Sequence, residues 1–180
     1  MEVRWADESH IDGRGLLRQL VAELASISPD FVAITAVCAD CGGPHGRPVV
    51  VSPASATRVQ VSLARSAGTV FAAATWDRPI GIDAERVSPD GTRSDLDEAI
   101  AVVTGARLSN VENADLLLHW TRIEAVLKAD GRGLRVDPRT VDLHAEGEET
   151  VATIDGGAGR FRVITVTGDP AFRVSLAIGD

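Results

Sequence analysis

Ile80-Gly81-Ile82-Asp83-Ala84-Glu85 is the stretch on which the reading of this chain turns. Its residues alternate in kind, the period-two pattern of a β-strand. On such a strand Ile80, Ile82 and Ala84 point inward, and Asp83 and Glu85 share the opposite face. Two neighbouring carboxylates repel each other, and one becomes protonated unless a cation sits between them. Hard oxygen ligands of this kind suit Mg²⁺. A half-exposed strand with two solvated acids fits this stretch equally well when it is read alone.

Downstream, Trp120-Thr121-Arg122-Ile123-Glu124-Ala125-Val126-Leu127-Lys128 carries a helical period. Leu116, Trp120, Ile123 and Leu127 recur at that spacing and are expected in the core. Glu124 and Lys128 stand four residues apart, hence on one face beside the apolar stripe. In isolation the pair reads best as a helix-stabilising ion pair worth about 0.2–0.5 kcal/mol. Together the two stretches supply three carboxylates and one lysine, the makings of a metal–phosphate site.

The surrounding pattern orders the elements. Asp12 is placed to cap a helix from about Gly13 to Ser26. Phe31–Val37 reads as a buried strand, and Pro48–Ser52, Val59–Leu63, Thr69–Ala74 and Ile80–Glu85 as further strands. Ser94–Thr104 and Asn113–Asp130 read as helices, the second closed by Gly131 and Gly133. The tail reads as strands at Thr140–His144, Val151–Ile154, Arg160–Thr167 and Phe172–Ile178. The expectation is an α+β protein of two similar lobes, about 1–78 and 79–180, with a cleft between them. No linker separates the lobes, so residues 1–180 read as a single domain.

Composition narrows the function classes. The 180 residues carry a formal charge of −8, with no basic run, which makes a poor nucleic-acid binder. No stretch approaches the roughly 18 apolar residues of a membrane span, and the N-terminus lacks an apolar signal core. Two cysteines give no disulfide framework, so a reducing cytoplasm is the expected location. The charge is uneven: residues 1–78 hold seven arginines and eight acids, so the −7 falls on the second half. An anionic ligand therefore meets less repulsion in the first half. Among the 18 basic residues only Lys128 is a lysine.

"IGIDAE", followed 39 residues after Glu85 by Glu124 within "WTRIEAVLKADGRGL", resembles the 4′-phosphopantetheinyl transferases. Members show a G-[IV]-D-x-E strand and a helix reading W-[ST]-x-K-E-[AS]-x-x-K, often ending in a G-x-G-L turn. "CADCGGPHGRP" (Cys38–Pro48) resembles the Gly-Lys/Arg-Pro loop of the two-lobed, surfactin-synthetase-activating branch. Val61–Ser66 takes the place of that branch's N-[IL]-S-H-S segment. The resemblance covers residues 13–178 in patches, and the two C-terminal motifs are its specific part.

The resemblance implies a pseudo-symmetric two-lobed α+β fold and an enzyme that transfers the phosphopantetheine arm of coenzyme A. The acceptor is a serine of an apo acyl- or peptidyl-carrier protein in fatty-acid, polyketide or nonribosomal-peptide synthesis, and 3′,5′-ADP is released. It makes Asp83, Glu85 and Glu124 the ligands of Mg²⁺, for which Mn²⁺ can substitute. Glu124 also accepts the serine proton, and Lys128 contacts the phosphate chain. Arg47 is assigned to the nucleotide end of coenzyme A and Arg65, in the usual place of a histidine, to its 3′-phosphate. A monomer is expected, since a two-lobed chain already contains the cleft that single-lobe relatives build by association.

Three residues depart from the family pattern: Ala64, Arg65 and Ile123. Ile123 stands where a lysine precedes the catalytic glutamate, and Arg122 cannot replace it because adjacent helix residues point about 100° apart. The alternatives are therefore a coenzyme A-binding relative with weak or no transferase activity, or a non-catalytic α+β interaction module. Cys38, Cys41 and His45 invite a zinc reading, but structural zinc takes four ligands and three are local. The expectation there is a turn with buried thiols.

Overall fold

The computed structural model describes residues 1–38, 40–88, 95–105, 115–157 and 159–180 of a mixed α+β chain. Helix α1 (Gly13–Ala25) starts where Asp12 accepts the Gly15 amide at 2.6 Å, satisfying a free N–H of the first turn. Leu16, Leu17, Leu20 and Val21 of this helix are buried. They pack on a three-stranded antiparallel sheet ordered β1 (Glu2–Asp7), β5 (Thr69–Trp76), β4 (Val59–Ser66). Ala67 and Gly68, with φ of 48° and 77°, turn β4 into β5, the left-handed pair whose twist suits a two-residue hairpin. A separate antiparallel pair joins β2 (Ala33–Ala36) to β3 (Pro48–Ser52).

The second sheet has five antiparallel strands. Its order is β6 (Ile80–Arg86), β10 (Phe172–Gly179), β9 (Arg160–Val166), β8 (Glu149–Ile154), β7 (Val141–Glu146). Helix α3 (Leu116–Asp130) lies on one face of it, and α2 (Asp95–Thr104) packs on α3 through Ile100 and Leu116. The other face meets the first sheet: Phe71 and Ala73 of β5 interlock with Ile82 of β6 and Leu176 of β10. The layers are thus α1, the three-stranded sheet, the five-stranded sheet, and α3.

As an edge strand, β6 leaves backbone donors without a strand partner, and β4 satisfies two of them with side chains. Ser62 Oγ accepts the Ile82 amide and Ser66 Oγ the Arg86 amide, each at 3.0 Å. On the opposite face, Gly81 brings β6 against the backbone of α3. A Cβ at Gly81 would overlap the Ala125 carbonyl and crowd the Ala129 amide. No larger residue allows this approach, which sets how near Glu124 and Lys128 come to the strand.

Several sequence expectations change. The strand expected over Phe31–Val37 shrinks to Ala33–Ala36 and is not buried, because it pairs only with β3; Phe31 is 67% and Val37 60% exposed. Strand β1 was not expected, since its alternation is hidden by charges: Arg4, on the face toward α1, pairs with Glu23 of that helix at 2.9 Å. Trp120 is only partly buried and packs beside Ile100 rather than in the main core. Ser94 and Asn113, the expected starts of two helices, lie outside the described residues; Asp115 caps α3 by accepting the Leu118 amide at 3.0 Å.

Gly81→Ala should lower the unfolding free energy by about 1–3 kcal/mol, the range for overpacking a filled core. Denaturant titration measures this, and a variant as stable as the wild type would show that α3 does not need the close approach.

Candidate functional site

Strand β6 is covered on both faces from Ile80 to Ala84. The half-exposed strand with solvated acids is therefore overturned for Asp83, over which α3 lies, while Glu85 near the strand's end stays half-exposed. Asp83 is 6% exposed. Lys128 reaches it from α3, with Nζ 2.6 Å from Asp83 Oδ1 and 3.1 Å from the Ile82 carbonyl oxygen. The second oxygen, Asp83 Oδ2, is buried without a hydrogen-bond partner. A buried carboxylate oxygen left unpaired is costly, and the cost is relieved by a cation.

Glu85 and Glu124 share that environment. Burial pushes the Asp83 carboxyl above its ordinary value, while Lys128 pulls the other way. Glu85 is raised by burial and then by the charge of Asp83, although the Ser66 hydroxyl donates to Glu85 Oε2 at 3.2 Å. Glu124 is raised by burial first, then by Asp83 and Glu85, with Lys128 opposing. Burial raises all three carboxylates and the charge of Asp83 raises both glutamates further, so with a single ammonium among them the site is short of positive charge.

The ligand atoms of the three do not all come within 4.8 Å of one another. Mg²⁺ does not require that, since it keeps several waters and is held through one or two carboxylates plus substrate phosphates. The orphaned Asp83 Oδ2 and the all-oxygen donor set fit that ion. Asp83, with one of Glu85 and Glu124, would hold it; the three carboxylates are not brought together as one shell.

A cavity of about 630 Å³ opens beside Lys128, between the loop before β3, the strand β4 and the turn that follows α3. Its volume lies in the usual range for small-molecule sites, about 300–1,000 Å³. Arg47, Lys128, Arg132 and Arg135 line it together with Asp40. Arg132 pairs with Asp130 at 2.6 Å and Arg135 with Asp40 at 3.6 Å, so the cavity's excess positive charge rests on Arg47 and Lys128. Arg47 is partly buried, and burial lowers its pKa with the charge of Asp130 opposing. Its Nη2 reaches Gln60 Oε1 only at 3.5 Å. Gly131, at φ 86°, leaves the room that Arg47 fills: a Cβ there would stand 2.5 Å from Arg47 Nη1. Sequence reading did not single out Arg132 and Arg135. Their signal was two cations in the glycine-rich turn "DGRGLR" closing the helix.

Arg65 stands elsewhere. Its Nε donates to Glu8 Oε1 at 2.7 Å beside the start of α1, and it is not among the residues lining the cavity. Ala64 is buried between the two sheets and Ile123 is buried between α3 and the five-stranded sheet, so neither offers a side chain to a ligand. Arg122 turns to β9, where Nη2 donates to Thr165 Oγ1 at 3.0 Å.

The Cys38–His45 loop forms the rim of the cavity. Cys41 is exposed and Cys38 half-exposed, which corrects the expectation of buried thiols: the loop lies outside every core cluster. No protein-family model and no curated protein matches this chain.

Glu124 keeps its proton to higher pH in the folded chain than in the unfolded one, so its charging opposes folding at high pH. That cost is absent below the ordinary carboxylate range and present above the raised folded value. Metal-free Glu124→Gln should therefore melt higher than wild type at about pH 8, the gap closing as the pH falls to about 4. Mg²⁺ should reverse the order by stabilising the wild type. A metal-free wild type that melts higher at pH 8 would contradict the electrostatics described here.

Proposed function

We propose that this chain is a Mg²⁺-dependent 4′-phosphopantetheinyl transferase of the two-lobed kind, working on coenzyme A and an apo acyl- or peptidyl-carrier protein. The observation that carries the reading is the position of Lys128. Its ammonium rests on Asp83, whose other oxygen is unpaired, and its side chain lines the cavity that also takes Arg47. One lysine thus joins the acidic site to a cationic pocket of a size for coenzyme A.

In this reading Arg47 receives the nucleotide end of coenzyme A and Lys128 the pyrophosphate, as a compact charge that follows its movement. Mg²⁺, when bound at Asp83 with one of Glu85 and Glu124, neutralises charge on the pyrophosphate. The carrier serine oxygen attacks the phosphorus that bears the pantetheine arm. A new P–O bond forms to serine while the P–O bond to 3′,5′-ADP breaks, and the leaving group departs as the anion. Glu124 takes the serine proton. Val37 and Leu134, both exposed on the cavity rim, offer apolar surface to the carrier.

A second reading, a relative that binds coenzyme A without efficient transfer, is favoured by two observations. Arg65 is engaged by Glu8 away from the cavity, and the position before Glu124 is a buried isoleucine with no cation to give.

Incubation with coenzyme A, Mg²⁺ and a panel of apo-carriers, followed by weighing the carriers, separates the readings. We expect a mass gain of one phosphopantetheine arm, abolished in Asp83→Ala and reduced at least tenfold (about 1.4 kcal/mol) in Lys128→Arg. Binding of coenzyme A with no mass gain on any carrier would select the second reading. An active Asp83→Ala variant would refute the metal assignment.

A further inference from the structure

Cys38, Cys41 and His45 meet on the rim of the cavity, on the loop between β2 and β3. Their ligand atoms all lie within 4.8 Å of one another, and no other three Cys, His, Asp or Glu residues do so among the described residues. Cys41 Sγ stands 2.9 Å from His45 Nε2. Tetrahedral Zn²⁺, with bonds of about 2.3 Å to sulfur and about 2.0 Å to nitrogen, sets its donors about 3.5–3.8 Å apart. The three side chains are therefore within small rotations of that arrangement.

The backbone is already folded for it. Cys38 N donates to the Gly43 carbonyl at 2.8 Å, and Gly42 N, in the left-handed region at φ 71°, donates to the Cys38 carbonyl at 2.9 Å. These bonds close the loop into a tight knuckle. An amide donor points at one sulfur: Gly43 N approaches Cys41 Sγ at 3.4 Å. Amides aimed at sulfur stabilise thiolates, the form that binds metal. At its far end the knuckle is pinned by Gly46, whose missing Cβ lets the chain pass directly against the Val37 carbonyl.

We infer that Cys38, Cys41 and His45 form a zinc site, separate from the carboxylates of β6 and α3. The fourth position is left to a water, since Asp40 Oδ2, 3.9 Å from Cys38 Sγ, does not lie within 4.8 Å of all three donors. Binding releases two thiol protons and all but one of the ion's coordinated waters to solvent, and forms two Zn–S bonds and one Zn–N bond; no electron moves. The sulfur and imidazole donors select zinc, whereas the oxygen donors around Asp83 select Mg²⁺. His45 is two residues before Arg47, so the metal clamps the loop that carries Arg47 to the cavity wall. The zinc site stands on the loop geometry and does not depend on the transferase reading.

The full-length chain, reduced and stripped with a chelator, is titrated with Zn²⁺ alone and, in parallel, with Co²⁺, whose thiolate charge-transfer absorption reports sulfur ligation. The expected result is one Zn²⁺ per chain, a cobalt complex with that absorption, and loss of both thiols to a thiol reagent only after chelation. Cys41→Ser and His45→Ala should each weaken Zn²⁺ at least tenfold while melting as cooperatively as the wild type. Asp83→Ala should keep its zinc, which separates this site from the carboxylate site. The inference is overturned if the reduced chain takes up no Zn²⁺, or if the Cys38→Ser/Cys41→Ser double variant binds as well as the wild type. It is also overturned if the cobalt complex lacks sulfur ligation, or if the cysteines form a disulfide whose reduction restores no metal uptake.

Discussion

At Gly81 the backbone of β6 lies against the backbone of α3, with no side chain between them. That approach puts Asp83 under the helix, with its Oδ1 2.6 Å from a lysine of the same turn of α3. A strand buried on both faces is an unfavourable place for a carboxylate, and here one oxygen is paired while the other is not. The close contact therefore creates the electrostatic deficit of the site. It also fixes the layering, because α3 caps the outer face of a sheet whose inner face is locked to β4 and β5.

The solitary lysine of the chain gains a physical role from this arrangement. Lys128 Nζ donates both to the Ile82 carbonyl and to Asp83 Oδ1, so its charge is held at a point. Guanidinium, planar and forked, needs more room and presents its donors in a fixed spread. The seventeen arginines serve elsewhere, several in exposed pairs such as Arg4–Glu23 and Arg160–Asp180. Pairs of that kind contribute little to stability. Arg47 is different: it is partly buried, with one long hydrogen bond and a place on the cavity wall.

Much of this was legible in the sequence where one period ran without competition. The alternation from Ile80 to Glu85 and the stripe from Leu116 to Leu127 placed the strand, the helix and the shared face of Glu124 and Lys128. Exposure was harder to read. The carboxylate face of β6 looked half-open because alternation reports which residues share a face, not what covers it. Phe31–Val37 looked buried because its residues are apolar, yet only one neighbouring strand pairs with it. Strand β1 escaped notice because edge strands tolerate charge. Arg65 illustrates another limit: local motif position suggested a ligand contact, but Glu8, 57 residues earlier, is the partner it finds.

The central claim is that the carboxylates and the cationic cavity act as one site through Lys128. Calorimetric titration of coenzyme A in the presence and absence of Mg²⁺ tests it most directly. Sites that share a ligand are coupled, and the coupling is reciprocal. The account predicts that Mg²⁺ tightens coenzyme A binding at least tenfold, and that coenzyme A tightens Mg²⁺ by the same factor. Affinity for coenzyme A that is indifferent to Mg²⁺ would contradict it.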